Sequence, residues 1–247
     1  MDIRQLLKTC FRTTNKAFRL VLVLWLWVAV SSIILKEISP ENQSDSARAV
    51  ALVVGTLGIF LADTFLSGCV YACLRDLTGA GQMSWSKFNY YGRLYFHRLF
   101  SLRILTLGSF LLFGTIVYGL VDALRSAGVF FTAVCFALII GWAAFPLYFL
   151  LHFLLAPLVL LAQDTDLLNA LRKSWEFTRD NLADAITVGV SFLVIFAVAN
   201  LPNLLYNNKG KFFYLLAVPG SLLVSYADIF IISGLFIFYY SNQRHFS

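Results

Sequence analysis

Ala17-Phe18-Arg19-Leu20-Val21-Leu22-Val23-Leu24-Trp25-Leu26-Trp27-Val28-Ala29-Val30-Ser31-Ser32-Ile33-Ile34-Leu35-Lys36 carries one charge, Arg19, between its ends. At a rise of about 1.5 Å per residue, such a run covers the roughly 30 Å of a bilayer's hydrocarbon core. No water is available there, so every backbone N–H must bond within the segment, and the run reads as a membrane-crossing helix. Working outward from it, the same reading applies at 48–74, 99–121, 128–161, 182–205 and 212–240. The predicted fold is all-α: a polytopic membrane helical bundle with six transmembrane helices. Composition agrees, since 60% of the 247 residues are hydrophobic and 13% are charged, against about 25% charged in soluble domains. The mean hydropathy is +0.78. These values exclude a disordered chain, a coiled coil and almost any soluble enzyme of this length. Residues 1–247 are read as a single integral membrane domain, with no room for a separate soluble one. Pro146 and Pro157 predict a kink or an early end in the fourth span.

Lysine and arginine set the expected orientation. Arg4, Lys8, Arg12, Lys16, Arg19, Arg75, Lys87, Arg93, Arg98, Arg103, Arg172, Lys173, Arg179 and Arg244 fall on one side. Lys36, Arg48, Arg125, Lys209 and Lys211 fall on the other. The 14-to-5 split predicts a multi-pass protein with both termini cytoplasmic. The net charge of +6 suits anionic lipid headgroups at the cytoplasmic face. The basic residues are spread over short loops, which argues against a nucleic-acid partner. No small-residue cleavage site follows the first span, so the N-terminus is not read as a signal peptide.

The first 16 residues are amphipathic, with Ile3, Leu6, Leu7, Cys10 and Phe11 on one face, the spacing of an interfacial helix. Residues 84–98 and 166–180 have similar character, and each also precedes two spans. The chain therefore parses into repeat units 1–74, 75–162 and 163–247, each a cytoplasmic-side interfacial helix followed by a helical hairpin. Phe11 to Asn15 matches Phe177 to Asn181, with Phe and Asn four apart in both. Ala62-Asp63-Thr64-Phe65 matches Ala227-Asp228-Ile229-Phe230. The middle unit matches in pattern only. Units with an even number of spans run the same way, related by an axis along the membrane normal.

Charges inside a bilayer are costly and should face protein or water. Asp63, His152 and Asp228 qualify, nine to twelve residues from the cytoplasmic ends of their predicted helices. Asp63 lies on a ridge of mostly small residues (Ala47, Ala51, Gly55, Ile59, Ser67), where helix backbones approach. Asp228 shares a face with Ser221 and Ser225, and His152 stands one turn from Tyr148. One reading makes the three an intramembrane polar cluster able to relay protons or bind a cation. The other has each acid accept local hydrogen bonds and pin the packing, and this reading is favoured.

Other features carry less. Cys10, Cys69, Cys73 and Cys135 lie in apolar or interfacial contexts with no completed metal set, and read as packing residues. Asp164-Thr165-Asp166 is a D-x-D string, better explained by capping of the helix that follows. Asp180 and Asp184 suit a helix start. Asn42-Gln43-Ser44 is a sequon. Asn200, Pro202 and Asn203 are expected to break or end the fifth span. No hydrolase, zinc or nucleotide motif occurs, so neither catalytic residues, metal nor cofactors are assigned.

Ala170-Leu171-Arg172-Lys173-Ser174-Trp175-Glu176-Phe177-Thr178-Arg179-Asp180-Asn181, preceded by Leu155-Ala156-Pro157-Leu158-Val159-Leu160, resembles a motif of a large bacterial and archaeal superfamily of six-span proteins. That superfamily includes the membrane domain joined to some glycerophosphodiester phosphodiesterases and the YciC-like inner-membrane proteins. The resemblance implies the same fold and a bacterial inner-membrane location. The phosphodiesterase domain is lacking here, so that activity is not implied. Physically, Trp85 and Trp175 would anchor at headgroup depth, and Arg172, Lys173 and Arg179 would meet lipid phosphates. Asn181 would cap the turn into the bilayer. The expected function is non-enzymatic: an accessory, envelope-maintenance or partner-binding role, with a membrane protein or a second copy of the chain as partner. The competing expectations are a small transporter or proton-coupled carrier using Asp63, His152 and Asp228, and a membrane-embedded lipid enzyme.

Overall fold

The computed structural model describes residues 3–38, 45–125, 155–205 and 213–243. Among these residues the regular structure is entirely helical. In chain order the helices are α1 (Ile3–Lys16), α2 (Phe18–Ile38), α3 (Asp45–Gly79), α4 (Phe88–Arg125), α5 (155–162), α6 (Leu167–Asp180), α7 (Leu182–Leu205) and α8 (Phe213–Gln243). Four stretches are long and apolar enough to cross a membrane: Ala49–Gly79, Trp85–Ile116, Leu182–Leu201 and Gly220–Asn242. The pair α1 and α2, bent by 73°, makes a fifth if counted as one broken span. The expected fourth span falls mostly outside the described residues, as do His152, Pro146 and the Asn42 sequon; only its end appears, as α5.

The chain packs as two compact units, Met1–Phe96 with Thr187–Ser247, and His97–Ile186. In the first, α1, α2 and α3 all pack on α8. Of these four stretches, the one in α8 is the most enclosed, with 44% of its most apolar residues buried against 6% for α3. Phe236, Phe238 and Tyr239 of α8 are buried, along with Leu20 and Val21 of α2 and Val70 and Leu74 of α3. The outer face of α3 exposes Val50, Val53, Val54 and Leu57, the belt expected against acyl chains.

The break between α1 and α2 falls where the amphipathic pattern gives way to the uniformly apolar one. Thr13 O accepts the last bond of α1, from Ala17 N at 2.9 Å. Leu20 N then reaches back only three residues, to Ala17 O at 2.8 Å, which tightens the ladder as the axis turns. Leu6, Cys10 and Thr14 form the buried stripe of α1, and Thr14 Oγ1 donates to Cys10 O.

In the second unit, Leu102 of α4 and Ala156 of α5 pack with Leu167 and Leu171 of α6. α5 ends in a Schellman turn: Thr165 N bonds Leu160 O at 3.3 Å, with Asp164 in the left-handed region at φ 47°. Aspartate is one of the few residues other than glycine that tolerates that conformation. Asp166 stands at the N-cap position of α6, extended at φ −75°, ψ 168°, but its carboxylate makes no capping bond to the helix. The D-x-D string is therefore the connection between two helices. α6 buries Ala170, Ser174 and Thr178, and Thr178 Oγ1 donates to Ser174 O at 2.8 Å.

Two expectations need correction. The middle lead-in, 84–98, is not a separate interfacial helix. A single 3₁₀ turn at Trp85–Lys87 opens directly into α4, which runs unbroken to Arg125. Its buried positions Tyr91, Tyr95, Leu99 and Leu102 form one stripe straight through the expected border, so nothing turns the backbone there. Likewise α7 continues through Asn200 and Pro202 to Leu205. Asn200 donates Nδ2 to Phe196 O at 2.8 Å, and Pro202, in the last turn of α7, lacks the N–H that would bond Val198 O.

Candidate functional site

α2 uses two indoles to tie down its neighbours. Trp27 Nε1 donates to Asp63 Oδ1 of α3 at 3.2 Å, and Trp25 Nε1 donates to Ser221 Oγ of α8 at 3.1 Å. A buried indole N–H needs an acceptor, and in an apolar bundle the choices are few. Asp63 thus faces a neighbouring helix, as the small-residue ridge implied. Ser225 Oγ donates back to Ser221 O at 3.0 Å. Asp228 is half-buried on α8 and lies within electrostatic reach of Asp63. The structure therefore brings two of the three expected polar residues into one unit, and the third, His152, lies outside the described residues.

Trp27 is the tenth of the 21 residues of α2, which puts Asp63 near the middle of that helix. Asp63 and Asp228 stand farther from the ends of their helices than the sequence suggested, because α3 runs on to Gly79 and α8 to Gln243.

A second polar site occupies the far end of α3. Arg75 donates Nε and Nη2 to Asp76 Oδ1 at 3.0 and 2.8 Å, and Nη1 to the Tyr95 hydroxyl at 2.8 Å. The Tyr91 hydroxyl donates to Asp76 Oδ2. The guanidinium also lies 5.5 Å and 5.8 Å from the Tyr91 and Tyr95 ring centroids, within cation–π range. Both carboxylate oxygens of Asp76 are thereby engaged by protein donors. The arrangement clamps the end of α3 to the start of α4. Its approach is close: a Cβ built on Gly92 would stand 2.5 Å from Phe65 Cζ and 2.6 Å from Cys69 Sγ. Sequence reasoning counted Arg75 only as an orienting charge and passed over Asp76, Tyr91 and Tyr95. The available signal was two tyrosines four apart, soon after an Arg-Asp pair.

The expected headgroup residues of α6 are exposed, but each has a partner within the chain. Arg172 Nε meets Glu176 Oε1 at 3.0 Å, Arg179 Nε meets Asp180 Oδ1 at 3.1 Å, and Lys173 Nζ donates to Gln163 Oε1 at 2.5 Å. Trp175 is 39% exposed. Trp85 stacks on Phe88, ring centroids 5.5 Å apart. Asn181 closes α6: its backbone N and its Nδ2 both donate to Phe177 O, at 3.0 and 2.9 Å, while its own carbonyl starts α7 by accepting Ala185 N at 2.8 Å. Asp164 pairs with Arg98 at 2.7 Å, and Asp166 accepts from Asn169. No group of three His, Cys, Asp or Glu side chains able to hold a metal occurs among the described residues. Cys10, Cys69 and Cys73 are buried and unbridged, and burial pushes the Cys10 thiol up to about 12.

The class defined by this fold is an all-helical protein with several helices long and apolar enough to cross a membrane. Comparison with protein-family models, curated proteins and solved structures finds no match.

Proposed function

We propose that the chain is a six-span protein of the bacterial inner membrane, both termini cytoplasmic, serving as a non-catalytic accessory or partner-binding component of the envelope. The observation that carries this reading is the pair of indole bonds from α2. They engage Asp63 and Ser221 in holding helices together, where a carrier would need them facing a path. Further support comes from the like construction of α1 and α6. Both are 14 residues long, both bury positions spaced by four, and in both a buried threonine bonds the carbonyl four back. Tyr91, Tyr95 and Leu99 repeat that spacing at the start of α4. These likenesses support the reading of a threefold repeat in which the middle lead-in is fused to its span. The equal lengths align α1 with α6 two residues away from the Phe11–Phe177 match. The superfamily resemblance at Ser174–Asn181 fits the same picture, since those positions supply a buried stripe and a cap. Membrane lipid is the immediate partner. A further membrane protein or a second copy of the chain is the partner for which the exposed helix faces are suited.

The second reading, a proton-coupled carrier, draws on the electrostatic reach between Asp63 and Asp228. Proteoliposomes containing a pH-sensitive dye separate the two. In the accessory role, protein-dependent proton flux stays at the empty-vesicle level, and Asp63→Leu lowers thermal stability by about 1–3 kcal/mol by orphaning the Trp27 indole. Flux that is present in the parent and abolished by Asp63→Asn, with stability unchanged, would favour the carrier instead.

A further inference from the structure

Between Ile3 and Lys16, α1 carries basic residues and no acidic one. Lys8, Arg12 and Lys16 recur at steps of four, and all three are exposed. At helical spacing they lie away from the buried Leu6–Cys10–Thr14 stripe of this helix, which packs on α8. Among the described residues Lys8, Arg12 and Lys16 form no ion pair, whereas Arg75, Arg98, Arg172 and Arg179 each meet a carboxylate. Lys8, Phe11, Arg12, Asn15 and Lys16 stand side by side on this open, shallow surface of α1. Asn15 Oδ1 accepts from the Tyr226 hydroxyl at 2.9 Å, which leaves the Nδ2 amide as its remaining donor. The surface therefore presents side-chain donors with no carboxylate beside them among the described residues, next to the exposed ring of Phe11. Lysine and arginine side chains can only donate. The fitting ligand carries several anionic oxygens on an apolar body.

We infer that this face of α1 binds the phosphate of an anionic glycerophospholipid. Lys8, Arg12 and Asn15 take the phosphate oxygens, and Phe11 lies against the glycerol and upper acyl region. This rests on the reading of α1 as a membrane-surface helix, for which the 73° bend into α2 supplies the geometry. On α6 the corresponding cations already have Glu176, Gln163 and Asp180 beside them, so α1 is the face expected to bind the lipid more tightly.

The test uses the full chain in dodecylmaltoside, titrated with dioctanoyl phosphatidylglycerol, dioctanoyl phosphatidylcholine or inorganic phosphate, with bound lipid counted by native mass spectrometry. Phosphatidylglycerol should bind at least tenfold tighter than phosphatidylcholine. Lys8→Gln with Arg12→Gln should weaken it on the order of twentyfold, about fivefold per charge removed. Arg172→Gln with Lys173→Gln should leave it within twofold, and the charge-conserving Lys8→Arg should retain it. Equal binding of the two lipids, competition by inorganic phosphate at the same strength, or an equal loss from the α6 pair would overturn the inference. A spin label at Lys8→Cys in bilayers separates the two levels of failure. Headgroup depth without lipid preference rejects this site alone, and a label remote from the bilayer rejects the surface-helix reading as well.

Discussion

Gly234→Leu is expected to cost the folded state on the order of 3 kcal/mol or more, the upper end for overpacking a closed core. A Cβ built on Gly234 would already stand 2.3 Å from Phe192 Cζ and 2.9 Å from Cys10 Sγ. Both neighbours are buried, Phe192 at 3% and Cys10 at 0% exposure, so neither can swing into lipid. Three helices meet at this contact: α8 supplies the missing side chain, α1 the thiol and α7 the ring. Leucine would have to displace α1 or α7 from α8. Thermal unfolding in detergent should show a large fall in midpoint. Gly234→Ala should give a smaller fall, partly restored by Phe192→Leu. Gly58, where a Cβ would meet nothing within 4 Å, supplies the control. Gly58→Ala should be neutral or stabilise by up to about 1 kcal/mol through backbone entropy. Equal midpoints for Gly234→Leu and Gly58→Ala would mean that α1 does not pack on α8 at this point.

Arg75→Met carries the second large effect. The guanidinium makes two bonds to Asp76 and one to Tyr95, with side-chain exposures of only 21% and 22% for the ion pair. Removing it leaves a carboxylate sheltered from water with Tyr91 as its remaining donor in this clamp. A fully buried orphan would cost about 3–5 kcal/mol, and the residual exposure brings the expectation to about 2 kcal/mol. Arg75→Lys should recover little, because an ammonium cannot reproduce the fork. Combining Arg75→Met with Asp76→Leu should cost clearly less than the two changes summed, since the second removes the orphan left by the first. Strict additivity in denaturant unfolding would dissolve the clamp as a unit.

Much of the helix plan was readable because lipid leaves an apolar run one solution. The runs at 17–36, 48–74, 182–205 and 212–240 became α2, α3, α7 and α8 with ends displaced by five residues or fewer. The turns at Ala17 and Asn181 were legible for a related reason: the polar stripe stops there. The continuity of α4 was not, because an aromatic, basic segment looks interfacial whether or not the backbone bends after it. What decides is the unbroken stripe Tyr91–Tyr95–Leu99–Leu102, visible only once its partners are known. Asp63 could be singled out from cost alone, but its partner could not. Trp27 is one of two indoles in the same span, and nothing local says which faces α3. The Arg75 clamp was hidden for the opposite reason. Charge counting treats an arginine at a helix end as solvated, and only the approach of α4 at Gly92 shows that this one is enclosed.

Sidedness of α1 and α6 is the most direct trial of the proposed architecture, in which both lead-ins rest on one membrane face. In a chain whose own cysteines are replaced by alanine, Lys8→Cys and Lys173→Cys would be challenged separately with a membrane-impermeant maleimide in sealed vesicles of known orientation. Both positions should label in inside-out vesicles and stay protected in right-side-out ones until detergent is added. Labelling of the two from opposite faces would contradict the like-oriented hairpins and the cytoplasmic placement of the lead-ins together.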